Sequence, residues 1–331
     1  MTIRWLGPVA VIVVLAILAA PACSPKISLF PDGSEPLRQF TLEGEAKGKT
    51  VLLIDVQGFL TDQADRGMLG SRPSPVQEVV SRLDLAEADE DVGAVVLKVN
   101  TPGGTTTASD VLYHEIAAFK EKTGKPVVVA MMDVAASGGY YLALPADHIL
   151  AHPTTITGSV GVIFILPRVY GLFDELGVTV DVAKSGKHKD MGSPFRQPTE
   201  EENALMAAIV DQLADRFLTL VRQHRHLAPE ALADVATARI LTADQALGLG
   251  LVDEVGYLED AFAKARELAG LDEDAPVVVY RREEWANDNP YNAQSVAPSG
   301  SGGTGALTLE TGLNLPPRSG FYYLWAPGLT N

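Results

Sequence analysis

The sequence predicts an α/β fold with a mostly parallel sheet. Three observations carry that prediction. Apolar runs of strand length recur at Thr50 to Val56, Val92 to Val99 and Pro126 to Met132. Stretches of helical periodicity separate them, with Val76, Val79, Val80 and Leu83 on one face, then Val111, Leu112, Ile116 and Phe119 on another. Gly-bearing turns close the second and third runs, at Asn100 to Gly104 and Ala135 to Gly139. Strands alternating with helices in this way build parallel sheets covered by helices.

Taken in order, residues 1–22 read as a signal or anchor segment and residues 23–49 as a tether. Residues 50–286 form one α/β domain, and residues 287–331 a flexible linker with an aromatic tail. Within the domain, helices are expected from Pro75 through Leu85 and from Ala108 to Lys122. After the third strand the expectation is a helical turn from Tyr140, a short strand at Ile149 to His152, and a Gly-bearing turn at Thr155 to Val162. A helix at Pro167 to Leu176 and a strand at Val178 to Ala183 follow. The helix from about Thr199 to Gln223 opens on a Thr cap and three glutamates, which suit its dipole. Shorter helices at Thr242 to Leu247 and Ala261 to Ala269 precede a last strand, Val277 to Tyr280. The end, Phe321-Tyr322-Tyr323-Leu324-Trp325, is too apolar for a solvated tail, and docking on this subunit, a neighbour or the substrate groove is expected.

The apolar run from Trp5 to about Ala22 carries no charge and follows Arg4. It admits three readings: an uncleaved anchor, a secretory signal cut after Ala22, or a lipoprotein signal with Cys23 as the modified residue. All three place the domain outside the cytoplasm, at or near a membrane. Cys23 is the sole cysteine, which excludes an internal disulfide and a thiolate zinc site. A net charge of −16 repels phosphate backbones and argues against nucleic acid as a partner. No P-loop, dinucleotide fingerprint or metal-spaced Cys/His cluster occurs, so no cofactor or metal is expected.

Ser137 is the candidate nucleophile. It sits among Ala and Gly at a strand-to-helix turn, where small neighbours let the backbone bend and a substrate approach. A nucleophilic serine needs a base, an oxyanion hole and room for an extended peptide. His148 and His152 follow closely and could complete a triad. Lys189, in a Gly- and Ser-flanked loop, offers another route. A lysine acts as base only when neutral, so an ordinary pKa of about 10.4 has to fall by roughly 3 units on desolvation. Gly103 and Gly104 let the backbone turn N–H groups into a cleft. Both Gly-rich turns follow parallel strands, so both belong at the carboxyl edge of one sheet, where α/β proteins bind ligands.

These segments resemble the signal peptide peptidase A family, also called protease IV. The matching stretches are Val99 to Gly104, Ala135 to Tyr141, Thr157 to Val162, Ser185 to Asp190 and Thr242 to Asp253, in the family's order. The resemblance implies the Clp protease and crotonase fold, and a Ser–Lys dyad of Ser137 and Lys189. It further implies oxyanion N–H groups from Gly104 and Gly138, and Ser159 orienting the Lys189 amine. Substrates would be cleaved signal peptides and other unfolded apolar peptides at the membrane. The chain looks like the short, single-copy form, a homo-oligomeric ring in which adjacent subunits share the dyad. Two other readings fit the same fold: a crotonase-like acyl-CoA enzyme and a non-catalytic membrane scaffold.

Overall fold

The computed structural model describes residues 35–45, 47–67, 70–285, 287–292 and 319–326. The leader segment and Cys23 lie outside them. The first half of the chain comprises β1 (Arg38–Glu43), β2 (Thr50–Gln57), β3 (Asp65–Gly67), β4 (Gly70–Arg72), α1 (Pro75–Ala88), β5 (Val92–Thr101), β6 (Gly103–Thr105), α2 (Thr106–Thr123), β7 (Val127–Ala136) and α3 (Gly138–Ala143). The second comprises β8 (His148–Ala151), β9 (Ile156–Gly158), β10 (Ile163–Ile165), α4 (Tyr170–Glu175), α5 (Glu200–Arg225), α6 (Pro229–Val235), β11 (Ile240–Thr242), α7 (Ala243–Gly248), β12 (Glu254–Val255), α8 (Leu258–Ala269), β13 (Val277–Arg281) and β14 (Gly320–Leu324).

The main sheet runs β1-β13-β2-β5-β7-β8-β12, with β9 beside β7 and β11 beside β9. Its pairings are parallel except at β1 and β11. The expected α/β architecture with a mostly parallel sheet is therefore present. Side chains alternate between two buried faces. Leu52, Ile54, Val95, Leu97, Val129 and Met131 face one core, which takes in Leu83 of α1 and Ile116 of α2. Val51, Leu53, Ala94, Val96, Val128 and Ala130 face the other, beneath Leu258, Ala261, Phe262 and Ala265 of α8. Burial on both faces explains why the central strands read as near-continuous apolar runs.

Helix ends follow local chemistry. Ser74 caps α1 by accepting from the Gln77 N–H, and Pro75 fills the first turn. Thr199 and Glu202 form a reciprocal capping box at α5. On adjacent strands, buried Lys98 and Asp55 pair at 2.6 Å. Lys98 Nζ also donates to the Pro290 carbonyl, which fixes the start of the carboxyl-terminal segment.

Two sequence expectations are corrected. Residues 38–43 lie in the stretch read as tether, yet they form β1 and pair antiparallel with β13. Their pairing covers what would otherwise be a free sheet edge. Val178 to Ala183 forms no strand. Val178, Val180 and Val182 are 46%, 45% and 52% exposed, on a segment that leaves the domain between α4 and α5. The alternating pattern is real, but among the described residues the segment pairs with no strand.

Candidate active site

The site begins where β7 ends. Ala136 pairs with Gly158, and the Ser137 N–H donates to the Gly158 carbonyl at 2.8 Å. Ser137 then takes φ 53° and ψ −112°, a conformation costly for a side chain with a Cβ, and α3 starts at Gly138. Tight packing dictates the two glycines. A Cβ on Gly138 would lie 2.3 Å from Ser109 Oγ, and one on Gly139 2.8 Å from Thr101 Cγ2. Ser137 is 1% exposed, and its Oγ has no hydrogen-bond partner among the described residues. Strain plus an unsatisfied buried hydroxyl at one residue costs on the order of 1–3 kcal/mol for each feature. Such expense marks a group held for chemistry rather than for stability.

The second element is β6. Leu60 N–H donates to the Gly103 carbonyl and the Thr105 N–H donates to the Leu60 carbonyl, both at 2.9 Å. Successive peptide groups point to opposite edges, so the Gly104 N–H and carbonyl face away from Leu60. They face β14, where Tyr323 stands opposite Gly104. Gly103 has φ 100°, open only to glycine. A Cβ there would lie 2.0 Å from the Tyr323 carbonyl oxygen and 2.8 Å from the Gly138 nitrogen. Gly103, Gly104 and Gly138 thus converge on one spot.

Ser159 lies next to this spot. It follows Gly158 as Ser137 follows Ala136, and it too has φ 53°. Its N–H donates to the Arg239 carbonyl at 2.8 Å. Its hydroxyl is half-buried and makes no side-chain hydrogen bond among the described residues.

Lys189 sits elsewhere in the single chain. It is exposed in the 184–193 loop, and its amine has no ion-pair partner among the described residues. Its neighbours are all engaged. Lys184 pairs with Asp190 at 2.6 Å, and Lys187 and His188 both meet Glu201. Arg196 ties Asp190 to Glu202, with contacts of 2.9 Å and 2.5 Å. The loop is therefore braced against the start of α5, with Lys189 left over.

Neither histidine near the nucleophile touches it. His148 contacts Glu254 at 3.0 Å, and His152 Nδ1 meets Thr154 Oγ1 at 2.8 Å. A triad through either would need a partner for the Ser137 hydroxyl, which has none. Among the described residues no cluster of His, Cys, Asp and Glu could hold a metal ion.

Sequence reasoning missed the aromatic pocket beside the site. Tyr141, one turn after Ser137, packs on Phe217 of α5 at 4.8 Å between ring centroids, and edge-on to Tyr113 at 5.6 Å. The signal lay in Tyr140-Tyr141 after the serine, but Phe217 comes 76 residues later and only folding brings it there.

Residues 119–272 match the model of Peptidase family S49. A protein of Enterococcus faecium named signal peptide peptidase SppA is 33% identical over 297 residues, which is 88% of this chain and 86% of that one. The chain belongs to peptidase family S49. This S49 chain is also 37% identical to a protein of Methanocaldococcus jannaschii named as a protease, over 73% of this chain and 76% of the relative. Protease 4 of Salmonella typhi is 36% identical over 68% of this chain but only 35% of its own length. Membership makes the protein a serine-type peptidase and displaces the acyl-CoA and scaffold readings.

Proposed function

We propose that this S49 peptidase cuts released signal peptides and other extended apolar peptides at a membrane surface, with Ser137 as nucleophile and Lys189 as general base. The observation that carries the reading is the condition of Ser137: strained, buried and with no hydrogen-bond partner for its hydroxyl among the described residues. Such a hydroxyl waits for a base from outside. Lys189 is the matching half, an exposed amine with no counter-ion among the described residues.

A second copy would supply the base. Leu172, Leu176, Val178, Val180 and Val182 leave a run of apolar surface on the arm, and burial of that surface drives association. The same contact would strip water from Lys189 and favour its neutral form. Lys189 Nζ then takes the Ser137 proton as Oγ attacks the scissile carbonyl. The N–H groups of Gly104 and Gly138 hold the resulting oxyanion. The lysine returns the proton to the leaving amine, and water hydrolyses the acyl-enzyme. Ser159 orients the amine. The stretch from Trp5 to about Ala22, or a lipid on Cys23 in its place, tethers the assembly at the membrane, with the catalytic domain on the extracytoplasmic face.

Complementation tests the shared dyad. Ser137→Ala and Lys189→Ala chains are each inactive on a fluorogenic apolar peptide. Co-assembled, they regain activity, because a Lys189→Ala copy keeps its serine and takes a lysine from its neighbour. A mixture that co-assembles and stays inactive refutes sharing between copies.

A further inference from the structure

We infer that Thr101 is a positioning residue for the reaction: its γ-hydroxyl and γ-methyl clamp the two glycine turns together, so that the N–H groups of Gly104 and Gly138 keep a common aim. The inference rests on the peptidase reading of Ser137, Gly104 and Gly138, and adds the side chain that holds their backbone in place. Thr101 touches no reacting atom and acts through the turns on either side of it. The need for a clamp comes from the sheet. The two turns follow β5 and β7, which pair in step from Val95 opposite Val127 to Val99 opposite Met131. The ladder then breaks. Thr101 stands opposite Ala135, so two steps along β5 face four along β7. Backbone pairing thus stops fixing one strand against the other just before both reach the site. Side chains take over. Asn100 Oδ1 accepts from the Val134 N–H at 3.1 Å, inside the bulge.

Thr101 is fully buried and uses both branches of its side chain. Its Oγ1 accepts from the Gly103 N–H at 3.1 Å and donates to the Gly58 carbonyl. Gly58 opens the segment that grips β6. The Gly58 N–H donates to the Asn100 carbonyl at 3.2 Å, and Leu60 bonds to both Gly103 and Thr105. One hydroxyl therefore joins the segment from Gly58 to Leu60 to the turn that carries Gly104. The methyl faces the other turn. A Cβ on Gly139 would lie 2.8 Å from Thr101 Cγ2 and 3.0 Å from the Thr101 carbonyl oxygen, so α3 begins directly against this residue. A β-branched side chain is stiff about χ1. With the methyl wedged against Gly139, the hydroxyl has no freedom to swing away from Gly103. A shift of either turn is passed to the other through one Cβ. Valine lacks the hydroxyl and serine lacks the methyl, so neither reproduces the clamp.

The two substitutions separate the branches in the full-length chain. Oxyanion contacts tighten in the transition state, so a misaimed N–H lowers kcat and spares KM. On a fluorogenic apolar peptide, Thr101→Val is expected to lower kcat about 10–100-fold with KM within about twofold. Thr101→Ser should keep kcat within about fivefold of the parent. Equal losses in the two variants, a loss confined to KM, or no loss overturns the inference. Thr101→Ala takes the place of Thr101→Val, against the same serine control, where the valine chain does not fold. A second measurement needs no turnover. Amide hydrogen exchange at Gly103 should quicken about tenfold or more in the variant without the hydroxyl and stay near the parent rate in Thr101→Ser. Unchanged protection at Gly103 overturns the inference even where cleavage is lost. Cleavage that survives Ser137→Ala removes the peptidase assignment of Ser137 instead, and the exchange at Gly103 still decides whether Thr101 clamps the turns.

Discussion

Ser137 and Ser159 stand side by side at the carboxyl edge of the sheet, each with φ 53° and each one residue beyond the paired positions Ala136 and Gly158. A hydrogen bond from the Ser137 N–H to the Gly158 carbonyl locks the two turns together. Two L-residues in the left-handed region within one contact represent stored strain, which persists only because the surrounding packing imposes it. Relief of that strain should separate stability from activity. Ser137→Gly is expected to raise unfolding stability by about 1 kcal/mol while abolishing cleavage. Ser159→Ala should keep stability within about 0.5 kcal/mol and lower kcat on the order of 10–100-fold with little change in KM. Urea unfolding and steady-state kinetics read both, and a Ser159→Ala enzyme with unchanged kcat would remove its orienting role.

Gly104 has no room to change. A Cβ would lie 2.0 Å from the Leu60 carbonyl oxygen, which is backbone and cannot swing aside. Gly104→Ala is expected to cost about 1–3 kcal/mol through this overlap and to misplace the N–H aimed at the cleft. Chemical denaturation gives the first quantity. The second appears as a fall in kcat/KM that persists under conditions where the variant is fully folded.

Acid should loosen the arm before it unfolds the domain. Arg196 and Lys184 hold Asp190 well below the ordinary carboxylate range, and Arg196 with the Thr199 N–H brings Glu202 down to about 2. A depressed carboxylate contributes fully above its unfolded-state pKa of about 4, and the contribution fades as pH falls through the folded-state value. Hydrogen exchange across residues 184–199 is therefore expected to quicken below about pH 4, corrected for its intrinsic pH dependence. Arg196→Met should produce the same loosening at neutral pH. Protection that is level down to pH 2 would show that these pairs do not brace the loop.

The exposed valines predict assembly. Val180, 45% exposed between Val178 at 46% and Val182 at 52%, lies in the middle of an exposed apolar run. Val180→Asp is expected to leave the thermal transition of the domain unchanged while shifting the particle to smaller mass. Activity should fall with it, as the proposed sharing of the dyad between copies requires. Sedimentation and peptide cleavage measured on the same sample check both, and an unaltered particle would place the contact elsewhere.

Much of the molecule was legible as sequence. The strands β2, β5 and β7 announced themselves because burial on both faces demands unbroken apolar runs. The turns at Gly104 and Ser137 were marked by glycines that close approach of backbone requires. Other elements carried no such mark. β6 and β10 are too short for periodicity to register, β14 showed only as an apolar end expected to dock, and β1 lies in a stretch whose composition reads as tether. Val178 to Ala183 has a strand pattern without a strand, because alternation alone does not bring a segment beside a partner and these residues stay exposed.

By itself, then, the sequence determined the layered α/β domain, the strained serine and the glycines around it, all of which are local demands of packing and backbone freedom. Tertiary structure alone decided that Tyr323 lies opposite Gly104, that Tyr141 and Phe217 enclose it, and that Lys189 is exposed. Those relationships join residues up to 219 positions apart along the chain. No local pattern encodes them, because the energy that fixes them is released only when distant segments bury one another.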